Sequence, residues 1–173
     1  MWRCRTVNKY QPHIIVVSED DANRQIANGF LNFSFVNQRR IQVLSPTAMN
    51  NKGGWKKVVE WFVNTQINLM ITLKNRIAIL LIDCDVKEDY LSHLNYIDKY
   101  IPDELKDRIF VLGAWDEPEK LKKILGSFEK IGEGLAKDCY EETVIFWEHE
   151  HLRHNFKELD RMRHIIKEII FSK

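Results

Sequence analysis

No apolar run in this sequence approaches the roughly twenty residues that cross a bilayer, and no charged start leads into an apolar stretch with a small-residue cleavage site. A membrane-spanning helix and an export signal are therefore not expected, which leaves the cytoplasm as the expected compartment. Cysteine is scarce. Cys4, Cys84 and Cys139 are odd in number, far apart and without CxxC spacing, so neither a disulfide framework nor a zinc ribbon is expected, and the thiols are read as reduced. An excess of either charge is also missing. With 26 Lys+Arg against 25 Asp+Glu the net charge is +1, so any contact with nucleic acid has to come from local patches or from a partner chain. There is no internal repeat and no low-complexity segment, and the glycine-bearing stretch NNKGG, residues 50–54, lacks P-loop spacing.

What the sequence does have is 173 residues with 45% hydrophobic content, enough to bury one well-formed core and short of what two domains need. Its organising stretch is RIAILLIDCD, from Arg76 to Asp85. An unbroken aliphatic run of this length reads as a strand buried on both faces, at the centre of a parallel sheet. Side chains alternate along a strand, so Asp83 and Asp85 are expected on one side with Cys84 on the other. Two carboxylates held together repel unless a proton or cation lies between them, which makes a divalent metal the economical reading. Capping of the helix that begins near Asp89 is the alternative.

Three further strands are expected. HIIVVS, from His13 to Ser18, runs into Glu19, Asp20 and Asp21, and then into a helix marked by Ala22, Ile26 and Phe30. IQVL, from Ile41 to Leu44, is closed by Ser45 and Pro46. RIFVLG, from Arg108 to Gly113, is followed by Asp116, Glu117, Pro118 and Glu119. Helices are expected over Trp55–Met70, Lys87–Tyr100 and Glu119–Leu125, with a loop through Gly126, Gly132 and Gly134 and one long C-terminal helix from Glu141 to Ile170. Strands alternating with helices give an α/β fold with a compact, mostly parallel four-stranded sheet flanked by helices: one domain, with its core at about residues 11–125 and a C-terminal helical part at about 135–173. In such a sheet Glu19, Asp83, Asp85 and Glu117 emerge at the same edge and form a candidate cation site.

A strand ending in Glu, followed by a helix and, 64 positions later, by a strand ending in Asp-x-Asp, resembles the TOPRIM domain of topoisomerases, primases and the overcoming-lysogenisation-defect type of nuclease. The matching residues are Glu19 in IIVVSEDDAN and Asp83 and Asp85 in ILLIDCD. The resemblance implies a magnesium or manganese site and cleavage or transfer at a phosphodiester of DNA or RNA. Asp83 and Asp85 would hold metal, Glu19 would act as ligand or general acid/base, and Glu117 or Glu119 would support a second ion. It also implies work beside a partner chain or a second copy. Asp20 and Asn23 stand where the family places a glycine and an acid.

Two other readings of the same residues remain open. In a receiver-like phosphoacceptor domain, Asp20 and Asp21 would bind magnesium and Asp83 would accept phosphate, although VLGAWDEPEK offers Lys120 only after the turn. In a non-catalytic binding or assembly module, the C-terminal helix would be the working surface. On that helix Glu150 and His154, four apart, are spaced to share a zinc ion, whereas His149 and His151 face apart; a solvated polar face is the plainer reading. His149, Arg153, His154, Arg161, Arg163 and Lys167 are candidate phosphate contacts. Trp55 and Trp61 read as core or interface residues.

Overall fold

The computed structural model describes residues 7–46, 54–84, 89–115 and 118–172. Four strands, β1 (His13–Ser18), β2 (Ile41–Leu44), β3 (Arg76–Leu81) and β4 (Ile109–Leu112), form one all-parallel sheet in the order β2-β1-β3-β4. The helices are α1 (Asp21–Asn32), α2 (Trp55–Thr72), α3 (Asp89–Tyr100), α4 (Pro118–Leu125), α5 (Phe128–Glu141) and α6 (Phe156–Ile170). The expected α/β class and parallel sheet are both present. Among the described residues no helix is long and apolar enough to cross a membrane.

The continuous apolar strands are explained by a sheet covered on both faces. Ile14, Val16, Ile77, Ile79, Phe110 and Leu112 pack under α1, α5 and α6, while Ile15, Val17, Ala78, Leu80 and Val111 pack under α2 and α3. Alternate residues thus enter opposite cores, which is why the period-two polar pattern of a half-exposed strand is missing from β1, β3 and β4. At the edge that receives the chain from α2, Arg108 donates to the carbonyls of Met70, Leu73, Lys74 and Arg76, tying α2 to the start of β3.

The C-terminal third departs from the expectation. Residues 128–141, assigned to a glycine-bearing loop, form α5, and 142–155, assigned to the start of the last helix, are turns followed by a short 3-10 segment, Arg153–Asn155. Gly126, with φ of +100°, ends α4, and the Ser127 hydroxyl accepts from the Lys130 N–H to start α5. Gly132 does not break α5, because it is where α5 meets α1: a Cβ there would lie 1.9 Å from the Ile26 carbonyl oxygen. The turn after α5 is held by Asp138, buried, whose carboxylate accepts from the Thr143 hydroxyl and the Phe146 and Trp147 N–H groups.

This rearrangement lets the C-terminal segment cover the open side of β4. Arg161 donates to the Ile109 carbonyl, Glu158 accepts from the Val111 N–H, and Asn155 both accepts from the Gly113 N–H and donates to the Gly113 carbonyl. Side chains here do the work of a fifth strand, leaving the edge poorly suited to pairing with another chain. Asn155 is fully buried and also donates to the Leu152 carbonyl. Asn155→Ala takes the amide partner from both the Gly113 N–H and the Gly113 carbonyl, while the Leu152 carbonyl keeps the Asn155 backbone N–H. It is expected to cost about 1–3 kcal/mol, read as a lowered urea midpoint with an unchanged slope.

Candidate functional site

In an open parallel sheet the ligand crevice opens at the carboxyl ends of the strands where the chain's winding reverses. Here that point lies between β1, whose connection leads outward to β2, and β3, whose connection leads the other way to β4. Glu19 follows β1 and Asp83 follows β3, so the winding of the sheet itself puts both acids in the crevice.

The two are joined directly. The Glu19 N–H donates to the Leu81 carbonyl at 3.1 Å, extending the β1–β3 ladder by one step, and its Oε2 accepts from the Asp83 N–H at 3.1 Å. Pairing between β3 and β4 continues past the strand ends too, with Ile82 donating to Leu112 and Cys84 to Ala114. This keeps alternation in force up to Cys84. Asp83 accordingly turns toward α1, and Cys84 turns the other way, its Sγ 3.3 Å from the His93 Nδ1 of α3. The expected opposition of Asp83 and Cys84 holds; Asp85 and Glu117 lie outside the described residues.

The Asp83 carboxylate is fixed from two sides. Oδ1 accepts from the Ala114 N–H at 2.9 Å and Oδ2 from the Asn23 side-chain amide at 2.8 Å. Asn23 is buried on the first turn of α1, where its own N–H donates to Asp20 Oδ1 at 2.8 Å, so Asp20 is the helix cap that orients it. Burial pushes the Asp83 carboxyl up to about 7; the Ala114 and Asn23 hydrogen bonds work against the rise, and the charges of Asp20 and Glu19 add to it. The group is thus held where the arrival of a cation would favour its ionised form. Asp21, by contrast, is exposed and bonded to Arg24 and Gln25, which holds its carboxyl below the usual range.

Sequence reasoning named Asn23 only as the residue standing in place of an acid, and the Ala114 N–H carries no sequence signal at all. The histidines fall differently from the expected helical arrangement. His149, His151 and His154 precede α6, and the first two have rings 5.3 Å apart. His154 stacks on Trp115 at 4.5 Å and meets the edge of Tyr90, with burial lowering it to about 4. Neither ring nitrogen of His154 has a hydrogen-bond partner, and it does not pair with Glu150. Arg161 is committed to backbone carbonyls and lies over the Phe110 ring, Arg163 stands 3.8 Å from Asp160, and Lys167 is paired with Glu142. Of the phosphate contacts expected along the last helix, Arg161 and Lys167 are thus engaged elsewhere. Trp55 packs on His93 and Tyr96, as a core residue does. Among the described residues no three His, Cys, Asp or Glu side chains gather closely enough to hold a metal. Compared with known proteins, the chain matches no family model, no curated protein and no solved structure, so its site is interpreted from its own geometry.

Proposed function

We propose that this protein is a magnesium- or manganese-dependent nuclease or nicking domain of TOPRIM-like type, acting on phosphodiesters of DNA or RNA. The observation that carries this reading is the meeting of Glu19 and Asp83, distant in sequence, at the ligand crevice of the sheet, with the Asp83 carboxyl raised to about 7. Carboxylate oxygens are the ligands that hard divalent cations select. Glu19 and Asp83 would hold the ion, completed by Asp85 and Glu117. Such an ion supplies Lewis-acid stabilisation of charge on a phosphoryl oxygen. The chain's own contribution is positional: the Ala114 N–H and Asn23 amide fix the Asp83 rotamer, and Glu19 serves as second ligand or as general acid/base at the scissile phosphate. With a net charge of only +1, a partner chain or a second copy would add the cationic surface that holds nucleic acid.

Purified protein incubated with plasmid DNA and with RNA, in magnesium, manganese or EDTA, is expected to cut or nick only with metal present. Asp83→Ala is expected to reduce cutting to background, and identical products from wild type and Asp83→Ala would remove the nuclease reading.

A phosphoacceptor role is favoured by one observation, the strand order, which matches the first four strands of the doubly wound order 2-1-3-4-5 used by receiver domains. It is weakened by the sequence after β4, which offers Lys120 only beyond the turn. Acetyl phosphate with magnesium separates the two roles: a phosphoryl group added to wild type and absent from Asp83→Asn would select the phosphoacceptor.

A further inference from the structure

On the side of the sheet away from the Cys84–His93 contact, α1, α5 and α6 do not close fully over the strands. They leave a cavity of about 140 Å3. Its floor is Ile14 and Ile79 of the sheet, and its walls include Phe30 of α1, Leu135 of α5 and Ile166 of α6. Protein interiors are packed as densely as organic crystals, and an aliphatic cavity of about this size stays dry and accepts a benzene-sized guest.

The rim differs from the interior. Exposed Glu142 and Arg163 and half-buried Lys167 reach it from the turn after α5 and from α6, and the buried Asp138 of α5 also lines the cavity. Three of these charges are strongly committed: Asp138 to the donors of its turn, and Glu142 to Lys167. Arg163 is half exposed, with the 74%-exposed Asp160 its distant partner at 3.8 Å, a geometry that binds weakly. An aromatic group packs against one wall residue of the cavity. Phe35, 55% exposed, stacks at 4.4 Å on Tyr140, whose ring lies 5.3 Å from Phe171 on the cavity wall. Exposed rings packed against a wall residue of an apolar cavity form a surface suited to binding rather than to solvent.

We propose that this cavity binds a small monocarboxylate with an apolar body, an aryl or short acyl acid, whose hydrocarbon part fills the space over Ile14 and Ile79 while its carboxylate pairs with Arg163. The volume sets the size of the body. The acids Asp138 and Glu142 disfavour a head carrying a second negative charge, which selects a monoanion over a phosphate ester. The site is separate from Glu19 and Asp83 and does not depend on what they do.

Calorimetry and thermal shift on the full chain test this with phenylacetate and its neutral counterpart 2-phenylethanol. Saturable binding of one phenylacetate is expected, with a raised melting temperature, and with roughly two- to fivefold weaker binding of the alcohol. Arg163→Met, at a half-exposed position, is expected to abolish that preference and leave the alcohol's affinity unchanged. Ala27→Leu, which adds bulk at the cavity wall, is expected to weaken both ligands; should it compromise folding, Arg163→Met carries the test alone. Asp83→Ala is expected to bind phenylacetate as wild type does. Absence of saturable binding at millimolar phenylacetate, equal binding of acid and alcohol, or a preference that survives Arg163→Met would each overturn the proposal.

Discussion

Gly132→Val is expected to destabilise the fold by about 3 kcal/mol or more, a loss that urea or thermal denaturation will read directly. The reason lies in what surrounds the position. A Cβ at residue 132 would fall 1.9 Å from the Ile26 carbonyl oxygen and 2.6 Å from the Phe30 nitrogen, and a Cβ at Gly29 would fall 2.2 Å from the Glu129 carbonyl oxygen. These are backbone atoms of two helices packed against each other, so no side-chain rotation relieves the clash and α1 must move away from α5. Even Gly132→Ala is expected to destabilise, although in an unobstructed helix interior that change gains roughly 0.5–1 kcal/mol. Gly134→Ala provides the contrast, because the obstacle there is the Phe146 ring, which can shift, and its cost is expected to be smaller. A Gly132→Ala protein more stable than wild type would show that helix propensity, not backbone contact, governs the position. The consequence reaches the site. α1 carries Asn23, so moving that helix off α5 displaces the amide that holds Asp83.

The second large effect is a dependence of stability on pH centred on Asp83. Its carboxyl lies at about 7 in the folded protein against an ordinary 3.8, so between these values the folded state binds a proton that the unfolded state has released. Stability contributed by this group is therefore full below about pH 4, declines as pH rises, and has been lost by about pH 7, the total loss being on the order of 4 kcal/mol. Asp83→Asn removes the titration. Oδ1 of the new amide can keep the Ala114 N–H bond, and Asn23 can turn its own amide to present oxygen instead of nitrogen. The variant is expected to exceed wild type in stability at pH 8, by up to that amount less the strain of re-pairing, and to show a flatter profile from pH 4 to 8. Magnesium or manganese is expected to raise the wild-type melting temperature at pH 8 and to leave Asp83→Asn unchanged, since an ion that binds only the folded state stabilises by mass action. A variant less stable than wild type at pH 8, with wild type indifferent to both ions, would assign Asp83 to a purely structural role.

Much of the sheet was legible from the sequence because a strand buried on both faces leaves an unmistakable mark. The bounds of His13–Ser18 and Ile41–Leu44 agree with the expectation, and Arg76–Leu81 and Ile109–Leu112 agree to within one residue at each end with the apolar run Ile77–Ile82 of the organising stretch and with Arg108–Gly113. The convergence of Glu19 and Asp83 was legible for the same reason: parallel strands place all their carboxyl ends together. The C-terminal third was misread because glycine is ambiguous. In a local reading Gly132 and Gly134 break a helix, whereas here they lie where another helix backbone and an aromatic ring come close. A local signal for the helix lies in Ser127, with Phe128, Ile131 and Leu135 at helical spacing behind it.

The amino-acid sequence by itself determined the elements of the sheet, its parallel sense and the edge at which its acids emerge, because alternation and burial are properties of neighbours along the chain. Only the tertiary structure decided which of those acids touch, which donors hold them, and how far burial raises Asp83. It also decided that Asn155, Glu158 and Arg161 cover the edge of β4 and that a cavity opens beneath α1, α5 and α6. Each of these depends on the distance and desolvation between residues far apart in the chain, and neither quantity is carried by local sequence pattern.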